Sequence, residues 1–322
     1  MDAFLPMLKN VLLFVLLAVP GYILVKGKLL KQEQSGVLSK LLMYVGMPFL
    51  IVSGTIGISF DKNILMGLLT VAILGTALTF AFYFVSFFLA KCKIKDNEEL
   101  QRKRRGMMRF AEVFSNNGFL GLPLALAIGV NPTVFAYLVL LNIINNVMIY
   151  TLGMYLISGD KNTISLKNVI FNPVLIGFIV GIIINLTGVT KSLPEITTFS
   201  DHFKNLVTPI SMLILGMKMG AIKFSDLFKE KTLYVVSAVK LILLPVVTVA
   251  ITFLVSIIVP IDKINVIMAI FIAFAMPTAG LATAFADKHD GDVNGAVIYI
   301  LGTTIISVLT IPVLYALLNV II

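Results

Sequence analysis

Apolar residues fall along this chain in long runs joined by short polar links. A helix needs about twenty apolar residues to cross the bilayer core. Ten windows qualify, at roughly 5–25, 37–58, 64–90, 107–130, 133–157, 168–188, 206–222, 232–259, 264–286 and 294–320. The pattern predicts an all-α polytopic membrane protein of ten spans. Two windows are flawed as helices. The fourth contains Ser115-Asn116-Asn117-Gly118-Phe119-Leu120-Gly121-Leu122-Pro123-Leu124, and the ninth Ala275-Met276-Pro277-Thr278-Ala279-Gly280. Paired amides, glycines and prolines break helices. A broken backbone persists at membrane depth only where protein or an aqueous cavity covers it.

The flaws belong to a repeat. Span 2 carries Met47-Pro48-Phe49-Leu50 and ends near Ile58-Ser59-Phe60-Asp61. Span 7 carries Thr208-Pro209-Ile210-Ser211 and ends near Ile222-Lys223-Phe224-Ser225-Asp226. Spans 4 and 9 carry the breaks, and spans 5 and 10 follow each after a short link. The chain divides into residues 1–157 and 158–322, with five spans each. An odd number of spans inverts the second copy. That is a plan of secondary transporters, in which interrupted helices at matching positions mark the midplane site.

Composition and charge settle class and orientation. The 322 residues are 59% hydrophobic and 13% charged, with a mean hydropathy of +1.03, which excludes an ordinary soluble domain. Net charge is +9, but its distribution carries the information. With the N-terminus outside, the inner links hold nineteen Lys and Arg and the outer ones five, with Lys240 left inside a span. Basic residues stay on the cytoplasmic side, so both termini are expected outside, in the plasma membrane. The run Lys91 to Gly106, with Arg102-Lys103-Arg104-Arg105, reads as a solvated cytoplasmic loop that anchors lipid headgroups, not as a nucleic-acid surface. The single cysteine, Cys92, rules out an internal disulfide and a Cys-based metal site. The first apolar run has no cleavage site and is followed by more spans, so it is not read as a secretory signal.

Each break leaves a half-helix N-terminus inside the protein, where unpaired N–H groups suit an anion. Asn116 and Asn117 add amide donors, and Thr278 adds a hydroxyl. Gly118, Gly121 and Gly280 allow close backbone approach, and Pro277 and Ala279 complete the second break. These positions form the candidate substrate site. Asn142, Asn145 and Asn146 share a face of span 5 and must point inward, either as interhelical bonds or as substrate contacts. Lys240 either serves the site, as a counter-charge or a substitute for a coupling cation, or snorkels to the interface. Glu112 follows Arg109 by three residues, as a surface pair or a proton-coupling group. Asp287, Lys288, His289, Asp290 and Asp292 cluster before span 10. Asp292 reads as its N-cap, and the spacing fits no metal-ligand pattern. No phosphate loop, H-E-x-x-H or G-x-S-x-G is present, so no enzyme and no cofactor is expected. A coupling proton or sodium ion stays open.

At these residues the chain resembles the auxin efflux carrier family, which includes plant PIN proteins and bacterial organic-acid carriers. The most specific segments are Asn116–Leu124, Asn172-Pro173-Val174-Leu175-Ile176-Gly177, Ile214-Leu215-Gly216-Met217-Lys218-Met219-Gly220, and Ala275-Met276-Pro277 onward to Asp292. The resemblance implies two inverted five-helix repeats with spans 4 and 9 crossing at their broken centres. It implies a scaffold of spans 1, 2, 6 and 7 that forms a homodimer, and a transport domain of spans 3–5 and 8–10 that moves like an elevator. It places Asn116 at the plant crossover Asn, Asn117 where plant members have Thr, and Pro277 at the second crossover Pro. Ile51 replaces a plant Ser, and the long hydrophilic loop of many plant members is absent. These departures point to a compact prokaryotic-type carrier of small carboxylates. Sodium–proton antiport and a non-transporting anion sensor are the alternatives.

Overall fold

The computed structural model describes residues 4–58, 61–91, 97–164, 171–259 and 261–321. Among them regular structure is helical, with one isolated β-bridge. In chain order the main helices are α1 (Phe4–Lys26), α2 (Gln32–Ile56), α3 (Lys62–Leu89), α4 (Glu98–Val113), α5 (Asn117–Ala127) and α6 (Pro132–Ser158). There follow α7 (Pro173–Thr187), α8 (Glu195–Gly220), α9 (Lys231–Ile258), α10 (Lys263–Ala275), α11 (Ala282–Lys288) and α12 (Val293–Ile321). Cys92 and the Ser59-Phe60 pair lie outside the described residues.

Helix starts follow from local chemistry. Asp61, Asn97, Asn131 and Asn172 each accept a hydrogen bond from a first-turn amide of α3, α4, α6 and α7. Pro132 and Pro173 occupy first helical positions, where a missing N–H costs nothing. Deeper in the helices, proline widens the preceding turn. π turns at Leu42–Gly46, Asn117–Gly121 and Val239–Leu243 each end two residues before Pro48, Pro123 and Pro245. A proline ring displaces the carbonyl four residues back, and the wider turn absorbs the mismatch.

Among the described residues, six helices are long and apolar enough to cross a membrane: α1, α2, α3, α6, α9 and α12. The apolar helices α5, α7 and α10 are shorter. The ten-window count is therefore coarser than the structure. The windows at 107–130 and 264–286 are each divided between two helices, because their breaks unwind the backbone. The run Lys91 to Gly106 also differs from expectation. Residues 98–106 are the first turns of α4, not loop, because Asn97 caps them, Glu98 and Glu99 suit the first turn, and Arg104 and Gly106 are buried on one side.

The packing is inside-out relative to a soluble protein. Leu16, Phe88 and Ile258 are 65%, 73% and 82% exposed, while Lys240 is fully buried. Such a wide apolar surface suits lipid. α1, α2, α7 and α8 pack mainly on one another. The α1–α8 contact is close because glycines face backbone. A Cβ on Gly216 would fall on the Ala18 carbonyl, and one on Gly21 on the Leu213 carbonyl. Gly177 and Gly181 of α7 press likewise on Pro48 and Thr55 of α2. Small residues commonly admit such approach between membrane helices. Gly216→Ala is expected to lower stability by about 1–3 kcal/mol, the usual cost of overpacking. Thermal unfolding in detergent checks this, and an unchanged midpoint would contradict so close a contact.

Candidate functional site

The site is built from two interrupted helices. α4 ends at Val113, Phe114 turns into extended backbone, and α5 begins at Asn117. α10 ends at Ala275 and Met276 is extended, as a residue before proline prefers. The two extended segments lie antiparallel and bridge through Ser115 and Thr278. The Asn116 amide donates to the Pro277 carbonyl at 2.8 Å, and the Ala279 amide to the Phe114 carbonyl at 3.0 Å.

The polar groups freed at the end of α4 are satisfied one by one. Thr278 Oγ1 donates to the Ala111 carbonyl at 3.1 Å. Lys240 Nζ donates to the Val113 carbonyl at 3.2 Å and to Ser115 Oγ at 2.6 Å. Asn145 Nδ2 donates to the Ser115 carbonyl at 2.9 Å. On the other segment the Thr278 amide donates to Thr303 Oγ1 at 3.1 Å. The start of α5 is treated differently. No side chain caps it, and its first amides have no carbonyl within the helix to bond.

Beside the break lies a cavity of about 50 Å³. Asn116, Asn117 and Gly118 line it from α5, Ala279 and Gly280 from the second break, and Asn142, Asn145 and Asn146 from α6. Asn117 Oδ1 and Asn142 Nδ2 are buried without partners. Asn146 Nδ2 donates to the Asn142 carbonyl at 2.9 Å. A larger cavity of about 550 Å³ lies between α1, α5, α8 and α12, touching Met276 and Pro277. Its lining is aliphatic apart from Tyr22, Thr304 and Ser307 and a few aromatic or small residues, so it offers little to a charged ligand.

The structure thus gathers most of the predicted site residues and sets others apart. Pro277 lines the apolar cavity instead. Thr278 lines neither cavity and spends its hydroxyl on α4. The second half-helix, α11, has only seven residues. It is a weaker dipole than expected, and α5 is the longer of the two half-helices. Of the three asparagines of α6, Asn145 is a brace, whereas Asn142 keeps a free donor. Snorkelling is excluded for Lys240, which is fully buried and bonded inward. Glu112 is no surface pair: it is 1% exposed and neither carboxylate oxygen has a partner, while Arg109 stacks on Phe87. Sequence reasoning missed Met43, Met47 and Asn172 on the cavity wall and Thr303 behind the break.

Long apolar helices around a buried, hydrogen-bonded polar break define an integral, multi-pass membrane protein. The sequence matches the family described as Membrane transport protein over residues 6–169 and 162–315, and the chain belongs to that family, the auxin efflux carriers. It is similar to an uncharacterized transporter of Methanothermobacter thermautotrophicus (strain Delta H), with 27% identity over 223 residues covering 66% of this chain and 70% of the relative. Its family is one of transporters and not of enzymes.

Proposed function

We propose that this transporter is a secondary carrier of small organic anions, carboxylates in particular, working by alternating access. The observation that carries this reading is the uncapped start of α5 beside Asn116, Asn117 and Asn142, with the Asn142 Nδ2 donor buried and without a partner. Neutral donors and a helix dipole meet the carboxylate directly, while Lys240 is engaged by Ser115 Oγ and Lys218 by the Gly280 carbonyl, so the anion is released again. The cavity, at about 50 Å³, is far below the ~300 Å³ of an ordinary ligand pocket. It takes in a carboxylate group, and a whole substrate requires the walls to part.

The proposed movement separates two groups of helices. α1, α2, α7 and α8, which pack on one another, form the scaffold and the dimer contact. The rest, bound together across the breaks, form the moving part. The ten spans are then two inverted repeats, residues 1–157 and 158–322, with broken helices crossing at the centre and both termini outside the plasma membrane.

Uptake of labelled malate, malonate or an aromatic acid into proteoliposomes tests the reading. Asn117→Ala is expected to raise the half-saturation concentration about tenfold or more, the loss of one hydrogen bond to a charged group. Wild-type kinetics in both Asn117→Ala and Asn142→Ala would place the substrate elsewhere. A second reading, sodium–proton antiport, draws on Glu112, whose buried carboxylate lacks any partner. Sodium-driven proton flux in dye-loaded liposomes, lost in Glu112→Gln, would favour it.

A further inference from the structure

Away from the breaks, a second polar cavity of about 190 Å³ opens where the ends of α3 and α6 meet the middle of α4 and the link between α11 and α12. We propose that it binds a phosphate group, carried by the headgroup of an anionic phospholipid.

The floor is backbone. A Cβ on Gly106 of α4 would fall on the Leu156 carbonyl of α6, so the two helices touch there and the cavity has a fixed base. The walls are basic. Arg102, Lys103 and Arg109 line it from one face of α4, and His289 from the far link. Arg109 is held in place by its stacking, 4.1 Å above the Phe87 ring. Its Nε is buried and has no partner, and neither has Nε2 of His289. Burial and the charge of Lys288 hold the His289 imidazole below its ordinary range, so at neutral pH it is an uncharged group beside the guanidinium.

One carboxylate also lines the cavity. Asp290 is paired with Lys103 at 2.7 Å, and Lys103 reaches Glu99 at 2.9 Å as well. That set, two carboxylates and one ammonium, carries a net charge of −1, and Arg102 and Arg109 add two guanidinium groups to the same cavity wall. Guanidinium forks match phosphate oxygens in pairs. The lipid source follows from the surroundings. Phe84 and Phe88, next to Phe87 on α3, are 61% and 73% exposed and offer acyl chains a surface at the cavity's edge. A basic pocket between helices at the interface is the ordinary form of a headgroup site.

The test uses the full-length protein, purified and delipidated in an uncharged detergent. Phosphatidylglycerol is expected to raise the thermal midpoint by about 2–4 °C, and phosphatidylcholine to leave it unchanged. Arg102→Gln, an exposed change that does not threaten folding, is expected to cut the shift by half or more, and the Arg102→Gln/Arg109→Gln pair to abolish it. Native mass spectrometry should show one retained anionic lipid in wild type and none in the pair. Equal shifts with both lipids, or a full shift in Arg102→Gln, would overturn the site. If millimolar inorganic phosphate reproduces the shift and removes the lipid effect, the phosphate site stands and the lipid as its source is overturned.

Discussion

Replacing Lys240 by Met should lower the uptake rate about a hundredfold while moving the thermal midpoint by only a few degrees. The side chain is fully buried and donates to the Val113 carbonyl and to Ser115 Oγ. These atoms close α4, where the helix dipole is negative. Met fills the same space and donates nothing. The orphaned carbonyl costs about 1–3 kcal/mol. Removing a desolvated ammonium relieves a penalty of several kcal/mol. The two effects oppose each other, so folding changes little. Transport loses the placement of Ser115 and the Nζ donor that holds the end of α4, and a hundredfold corresponds to about 2.7 kcal/mol. Lys240→Arg keeps the charge and should retain more activity than Lys240→Met. A Met variant that transports normally would reduce Lys240 to a strut.

Arg104→Met is expected to act in the opposite way, on folding first. Arg104 is 7% exposed and joins three helices. Its Nε bonds Asp292, which also caps α12 through the Gly295 amide at 2.8 Å, and its Nη1 bonds Glu230 at 2.8 Å, at the start of α9. Removing one partner of a buried ionic network leaves the others uncompensated, at about 3–5 kcal/mol. The expected result is a sharply lower yield of folded protein in detergent, partly restored when Asp292→Asn and Glu230→Gln are added. The network also has a pH signature. Burial alone would raise the Glu230 carboxyl, but hydrogen bonds from Thr232 and Arg104 outweigh it and hold the group below its ordinary value. A depressed carboxylate stabilises the fold above its unfolded value of about 4.3 and loses that contribution as pH falls through the folded value. Wild type should therefore lose stability below about pH 4 more steeply than Arg104→Met. Equal acid profiles would mean that the ion pair contributes nothing.

Much of this was legible in the chain. Long apolar runs, Asn and Asp caps and the Pro–Gly clusters act locally, so helix positions and both breaks could be read directly. The candidate site was legible to the extent that its residues flank those breaks. What escaped depends on partners far along the sequence. Arg104 looks like one charge in a basic run, because Glu230 and Asp292 lie 126 and 188 positions away. The inward direction of Lys240 depends on where α4 ends relative to α9. Thr278 looked like a ligand group because nothing nearby shows that its hydroxyl reaches Ala111 on another helix. The division of labour among Asn142, Asn145 and Asn146 is likewise set by what each meets, not by spacing.

The bridge between Ser115 and Thr278 has a consequence for how the protein is made. The Asn116 amide and the Phe114 carbonyl find their partners in Pro277 and Ala279, about 160 residues later in the chain. A ribosome adds roughly 5–20 residues each second. For about 8–30 seconds the first half therefore sits in the membrane with its central backbone unpaired. During that interval water, lipid headgroups or the insertion machinery must serve in place of the second half. The fold is completed only when translation is nearly over, and the last spans to emerge are the ones that close the first.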